Sequence, residues 1–301
     1  MTSTASKADP HPRVVMVDGV PMSALVAESP DPRAVVVALH GGATTSAYFD
    51  CPGHPGLSLL RTAVDQGYTA IALDRPGYGA SAAYPDAMAR PEQRVALAFG
   101  AIQRITGTAD LFVLGHSMGC ELALHLAVQR PEVLGVSLAG TGRRYHPAAQ
   151  ELLKDASPVN RPRGLRELLW EPARLYPPDV IGAGLSAGGT AYEGDVVKTW
   201  SRQEFPALAG QTTVPVQFLA GEYENVWESD AEALAGIAAM FTVSPRVETG
   251  ELADSGHNLS VGLTADTYHR KVLSFADECV ANRGPEPAKG TVNTELEVEA
   301  G

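Results

Sequence analysis

Three side chains have the types that acyl transfer requires, in the order Ser117, Glu224, His257. A serine hydroxyl is a weak nucleophile at neutral pH, so a base must take its proton during attack, and histidine, with an ordinary pKa near 6.5, suits that task. A carboxylate behind the histidine fixes its tautomer and offsets the charge that forms on the ring. Ser117 sits in Gly115-His116-Ser117-Met118-Gly119, between the apolar run 111–114 and the helix-like run 121–127. The flanking glycines permit a sharp strand-to-helix turn that lifts the hydroxyl into the open and points the Met118 amide at the same space. The plainer reading, a helix N-cap, needs no glycine on either side.

The surrounding elements must hold these groups together. Residues 34–39 read as a buried parallel strand running into His40-Gly41-Gly42, whose small residues can offer bare N–H groups. An oxyanion would be met by the N–H of Met118 and by one from the Gly42-Ala43 turn. The apolar run 216–220 ends in Gly221-Glu222-Tyr223-Glu224, and the short strand 246–249 precedes Ser255-Gly256-His257-Asn258. Glu222 is the rival acid. Asp254 is close to His257 in sequence and is expected to stabilise a loop. His40 and His116 fall inside motifs and should shape them, and Cys120 reads as helix packing.

Taken together, these motifs resemble the α/β-hydrolase fold family over about residues 13–281. Residues 73–81, Leu-Asp-Arg-Pro-Gly-Tyr-Gly-Ala-Ser, look like the D-x-x-G-x-G-x-S turn of that family, with Asp74 bracing a loop. One position departs: the acid is Glu224 where the family usually has Asp. The resemblance implies an α/β fold with a mostly parallel central sheet flanked by helices. The core would comprise residues 13–141 and 209–281, with a helical cap inserted at 142–208. It implies a cofactor-free serine hydrolase, with carboxylic ester cleavage the default and thioester or lactone cleavage open to the same machinery. Carbon–carbon bond hydrolysis, a type II thioesterase-like activity and a non-enzymatic small-molecule receptor are the alternatives. Epoxide hydrolase and dehalogenase chemistry are disfavoured, because those members carry aspartate at the elbow.

Composition sets the class of partner. A net charge of −12 over 301 residues argues against nucleic acid or an anionic membrane, since both need a cationic face. No apolar run reaches the roughly 18 residues of a membrane span, and residues 1–10 lack the apolar core of a signal peptide, so a cytoplasmic location is expected. Cys51, Cys120 and Cys279 have neither disulfide-framework nor zinc spacing, and no His/Asp/Glu cluster shows metal-ligand spacing. The partner expected is a small acyl substrate, with a homodimer left open.

Along the chain, residues 13–26 read as two antiparallel strands around Asp18-Gly19. Helices are expected at 57–66, 92–106 and 264–281, strands at 69–73 and 133–138, and a capping box at Ser229-Asp230-Ala231-Glu232. Residues 1–12 form a tail, and 282–301 turn to Gly, Pro, Glu and Thr and should be disordered. Within 142–208, segments 148–154, 165–170, 178–185 and 196–202 look amphipathic, and the glycine-rich stretch 182–189 should flex. Trp170, Tyr176, Tyr192 and Trp200, together with Tyr48 and His116, are the candidates for contact with substrate.

Overall fold

A computed structural model describes residues 8–107, 109–154, 163–181 and 185–283. Its centre is an eight-stranded sheet formed by β1 (His11–Val17), β2 (Val20–Ala27), β3 (Val35–Leu39), β4 (Thr69–Leu73), β5 (Leu111–His116), β6 (Val133–Ala139), β7 (Val216–Tyr223) and β8 (Val247–Gly256). The strand order is β1-β2-β4-β3-β5-β6-β7-β8. β2 pairs antiparallel with β1 and with β4, and every other pair is parallel. The β1–β2 hairpin turns through Asp18 (φ 48) and Gly19 (φ 81), the two positive values a two-residue hairpin loop demands.

β3 shows why the sheet is covered on both sides. All five of its residues are buried and apolar. Val35, Val37 and Leu39 join one core cluster, and Val36 and Ala38 join the other. A strand with two buried faces reads as a continuous apolar run, which is how this one looks in the sequence. Helices α2 (Pro91–Thr106) and α3 (Gly119–Gln129) pack in the first cluster, while α1 (Leu59–Asp65) and α9 (Ala265–Ala281) pack in the second. From β3 the chain passes to β4 on one side and then to β5 on the other. The loops after β3 and β5 therefore part company at the same sheet end, the place where open α/β sheets form their ligand crevice.

Between β6 and β7 come α4 (Pro147–Leu153), α5 (Arg163–Leu169), α6 (Glu193–Thr199), a π-helical turn at Trp200–Glu204 and α7 (Phe205–Ala209). Helical segments are expected there, but 178–181 forms only turns, and the rest of that expected segment up to 184 lies outside the described residues. The N-cap of α8 (Ala231–Ala238) is Asp230, one residue later than the expected capping box, with its carboxylate accepting the Ala233 N–H at 2.8 Å. β8 runs well beyond the expected 246–249. Residues 1–7 and 284–301, most of the two expected tails, lie outside the described residues. Among the described residues no helix is long and apolar enough to cross a membrane.

Candidate active site

Each candidate side chain follows a strand end directly. Ser117 is the first residue after β5, Glu224 the first after β7 and His257 the first after β8, while Gly41-Gly42-Ala43 lie just past β3. Ser117 has φ 51, a left-handed value that costs a non-glycine residue of order 1–3 kcal/mol and persists only where the surroundings impose it. Two close contacts impose it. A Cβ on Gly119 would lie 2.1 Å from the Leu39 carbonyl oxygen, and one on Gly115 would lie 2.8 Å from Cys120 Cα. The Ser117 N–H donates to the Ala139 carbonyl at 2.8 Å, tying the turn to the end of β6.

His257 and Glu224 are both buried, and the His257 Nδ1–H donates to the carboxylate, 3.0 Å from Oε1 and 2.9 Å from Oε2. Glu224 Oε1 also accepts the Val226 N–H at 2.9 Å, so backbone as well as imidazole holds the carboxylate. A two-residue bulge precedes this pair. Gly221 pairs with Leu252 but Tyr223 pairs with Gly256, so β8 takes four steps while β7 takes two. Asp254, in the bulge, has φ 50, and its N–H donates to Glu222 Oε2 at 2.9 Å. The rival acid and the nearby aspartate thus brace the strand pair, leaving Glu224 as the carboxylate on the histidine.

His116 links the Ser117 turn to the His257 loop. Its Nε2–H donates to the His257 carbonyl at 2.9 Å, and its ring stacks on Tyr48 at 4.7 Å. Burial pushes its pKa down to about 3, so it is a neutral strut. A Cβ on Gly140, the residue after β6, would come within 2.8 Å of His116 Nε2 and 3.2 Å of His257 Cε1, which places the His257 ring beside the Ser117 anchor point. The Ser117 hydroxyl itself has no hydrogen-bond partner among the described residues.

In the turn after β3 the two candidate amides differ. The Ala43 N–H donates to the Tyr78 hydroxyl at 2.9 Å, so that amide is already engaged. Neither the Gly42 nor the Met118 N–H has a partner among the described residues, and a Cβ on Gly42 would sit 3.3 Å from Met118 Cγ. His40 shapes this turn: its Nδ1–H donates to the Gly41 carbonyl at 2.8 Å, and its Nε2 accepts the Arg75 N–H at 3.0 Å. Burial holds its pKa well below the ordinary histidine value. Asp74 braces the loop as expected, accepting the Ser46 N–H at 2.7 Å and the Ser23 hydroxyl at 2.6 Å.

Arg75 and Glu193 join the site without any sequence signal of their own. Both are buried, and the guanidinium donates through Nη2 to Glu193 Oε1 at 2.6 Å and to the Gly41 carbonyl at 2.9 Å. The Tyr78 hydroxyl donates to the same Oε1 at 2.8 Å. Arg75 adjoins the recognisable Asp74, a hint that could have been followed, whereas Glu193 opens α6 in a stretch with no motif. A cavity of ≈560 Å³ borders this network, lined by Gly77, Tyr78, Asp86, Met88, Ala187 and Tyr192 among others. Ala187 donates its N–H to the Ala43 carbonyl at 2.9 Å, so the cavity wall abuts the turn.

Of the residues expected to contact substrate, Tyr192 lines that cavity, and its hydroxyl donates to the Pro76 carbonyl at 2.8 Å. The others do not line it. Trp200 is buried with its indole N–H on Thr141 Oγ1 at 2.8 Å and its ring stacked on Phe205. The Tyr176 hydroxyl accepts the Asn258 N–H at 3.2 Å, Trp170 packs edge-on against the Tyr176 ring, and Tyr48 lies behind His116. Tyr48, Tyr176 and, through it, Trp170 support the loop that carries His257, whereas Trp200 packs within the segment between β6 and β7.

Spacing along the chain gave no metal cluster, yet the fold brings Glu121 and His125 of α3 and Glu204 of the π turn together, their ligand atoms within 4.8 Å of one another. Arg94 Nη2 stands 2.6 Å from Glu121 Oε1. A permanent cation already neutralises that carboxylate and opposes a dication.

Comparisons with known proteins place this geometry. A carboxyl esterase from Bacillus coagulans, solved with glycerol, is 14% identical at a TM-score of 0.66, covering 90% of this chain and 99% of the esterase. An N-acyl homoserine lactonase complexed with N-hexanoyl homoserine lactone is 16% identical at 0.63, covering 89% and 98%. A thioesterase domain from the curacin biosynthetic pathway is 17% identical at 0.60, covering 88% and 99%. These likenesses speak for the fold. No curated protein matches the chain. The sequence model of the alpha/beta hydrolase family matches residues 36–269, most of the chain and every strand end that precedes Ser117, Glu224 or His257, and the protein is a member of that family.

Proposed function

We propose that the protein is a serine hydrolase that cleaves a carboxylic ester, or a thioester or lactone, of a small molecule through an acyl-enzyme on Ser117. The observation that carries the reading is the buried Glu224–His257 pair. The carboxylate holds Nδ1–H, which leaves Nε2 as the basic nitrogen. His257 takes the Ser117 proton as the oxygen attacks the carbonyl carbon, and Glu224 offsets the imidazolium charge. The tetrahedral oxyanion is met by the Met118 and Gly42 N–H groups; losing one such donor costs about 2.7–4 kcal/mol in comparable sites. His257 returns the proton to the leaving group, and water repeats the cycle to release the acid. Every step uses side chains and backbone already described.

The experiment is labelling with a fluorophosphonate followed by peptide mass spectrometry. One adduct on Ser117, lost in Ser117→Ala, is the expected result. Labelling elsewhere, or none in folded protein, would overturn the mechanism. Residues between β6 and β7 serve in this reading as a cap that sets substrate choice. Alanine at Tyr192, the expected contact residue that lines the cavity, should reorder a panel of acyl esters.

A further inference from the structure

Glu193 is half-satisfied. Its Oε1 accepts from both Arg75 Nη2 and the Tyr78 hydroxyl, but its Oε2 accepts nothing among the described residues, although the side chain is only 7% exposed. Oε2 itself keeps some exposure, so it is an acceptor open to an incoming donor on a side chain that is otherwise enclosed. This oxygen faces the turn just assigned to the oxyanion. It lies 3.5 Å from the point a Cβ would occupy on Gly42, with Met118 Cγ 3.3 Å from the same point. That point is two bonds from the Gly42 nitrogen, so Oε2 is at most about 6 Å from the Gly42 N–H donor. An acyl group whose carbonyl oxygen is held there at about 2.9 Å can extend atoms one or two carbons along its chain to hydrogen-bond distance of Oε2.

Building on the serine-hydrolase reading, we infer that Glu193 Oε2 is a substrate-binding acceptor selecting acyl groups with a neutral hydrogen-bond donor, a hydroxyl or amide N–H, on the α or β carbon. The charge argument favours a neutral donor. Arg75 already compensates Glu193, so an ammonium would leave a net positive charge buried, and a substrate carboxylate would meet a like charge. An O–H or N–H satisfies the open oxygen and leaves the balance intact. It also directs the acceptor away from the developing oxyanion.

The test compares three aryl esters, hexanoate, 3-hydroxyhexanoate and 3-methoxyhexanoate, alongside their 2-substituted counterparts. The methoxy ester keeps the inductive pull of the hydroxyl and lacks its proton. The wild-type enzyme should favour a hydroxy ester over both partners by roughly 10- to 100-fold in kcat/KM, the range for hydrogen bonds to a charged group. In Glu193→Gln the amide oxygen remains with the Arg75 and Tyr78 donors and the NH2 group turns to the site, so the preference should pass to the methoxy ester. Glu193→Asp withdraws the carboxylate by one methylene and should shrink the ratio without reversing it, and it serves if the Gln variant does not fold. Equal rates across the wild-type series, or an unchanged ratio in the variant, would overturn the assignment while fluorophosphonate still labels Ser117. Absence of that label would overturn the hydrolase reading and this inference together.

Discussion

Two buried carboxylates border the turns at the strand ends around Ser117, and they are bonded in opposite ways. Glu224, on the β7–β8 side, has both oxygens within 3.0 Å of one imidazole nitrogen and a backbone N–H at 2.9 Å on Oε1. Glu193, brought in by the segment between β6 and β7, has two donors crowded on one oxygen and none on the other. The first is closed on the protein and can serve only to orient a ring. The second leaves a binding direction open. In the serine-hydrolase reading proposed above, chemistry common to any acyl substrate falls to the side built by regular strands, and discrimination among substrates to the side built by short helices.

The largest effect should come from the closed side. Glu224→Gln presents an N–H where Nδ1–H needs an acceptor, and is expected to lower kcat on a short aryl ester by about 10⁴-fold with the unfolding midpoint nearly unchanged. A variant that retains most of its activity would erase the contrast between the carboxylates. On the open side, Arg75→Met leaves Glu193 charged and buried without its cation, and should cost about 3–5 kcal/mol in urea denaturation. A smaller loss would mean that Glu193 is already paired by something outside the described residues.

Acid tests both sides at once, because each rests on a neutral buried histidine. His116, beneath the elbow, and His269, in α9, have pKa values lowered to about 3 by burial, and His40 is lowered well below its ordinary value. In the unfolded chain these rings bind protons below about pH 6.5, and in the folded protein they do not, so folding stability falls as pH drops from 6.5 toward 3. Each ring contributes up to about 1.4 kcal/mol per pH unit, or about 2 kcal/mol by pH 5. Thermal unfolding followed from pH 7.5 to 5 should show the loss, and His269→Phe should remove the share of it that His269 contributes. The smallest effect is reserved for Glu222→Gln, which weakens one hydrogen bond to the Asp254 amide: about 1 kcal/mol of stability and little change in kcat.

The closed side was legible in the sequence because each of its residues follows an apolar strand. Glycine spacing marked Ser117, and strand ends marked Glu224 and His257. β8 was underestimated because Gly250, Asp254, Ser255 and Gly256 are poor strand formers, and only pairing with β7 overrides their preference. The choice between Gly42 and Ala43 was invisible, since it turns on a tyrosine hydroxyl 35 positions away. Glu193 had no local mark at all. It is one acidic residue in a first helical turn, and its importance arises from contacts with Arg75 and Tyr78 across more than a hundred residues of chain.

The two extra residues of β8 contribute direction where they appear to contribute length. Suppose Ala253 and Asp254 were removed and the ladder closed. Counting from Leu252 opposite Gly221, Ser255 would fall opposite Glu222 and Gly256 would still fall opposite Tyr223, the pairing it has now. His257 would arrive level with Glu224 either way. What the shortened strand would lose is the added twist a bulge supplies. On this reading the extra pair is a steering element: its twist would turn the strand tip toward β6, where the His257 ring lies beside Gly140. A chain shortened at 253–254 would keep Ser117, Glu224 and His257 in their counted places and aim the imidazole elsewhere.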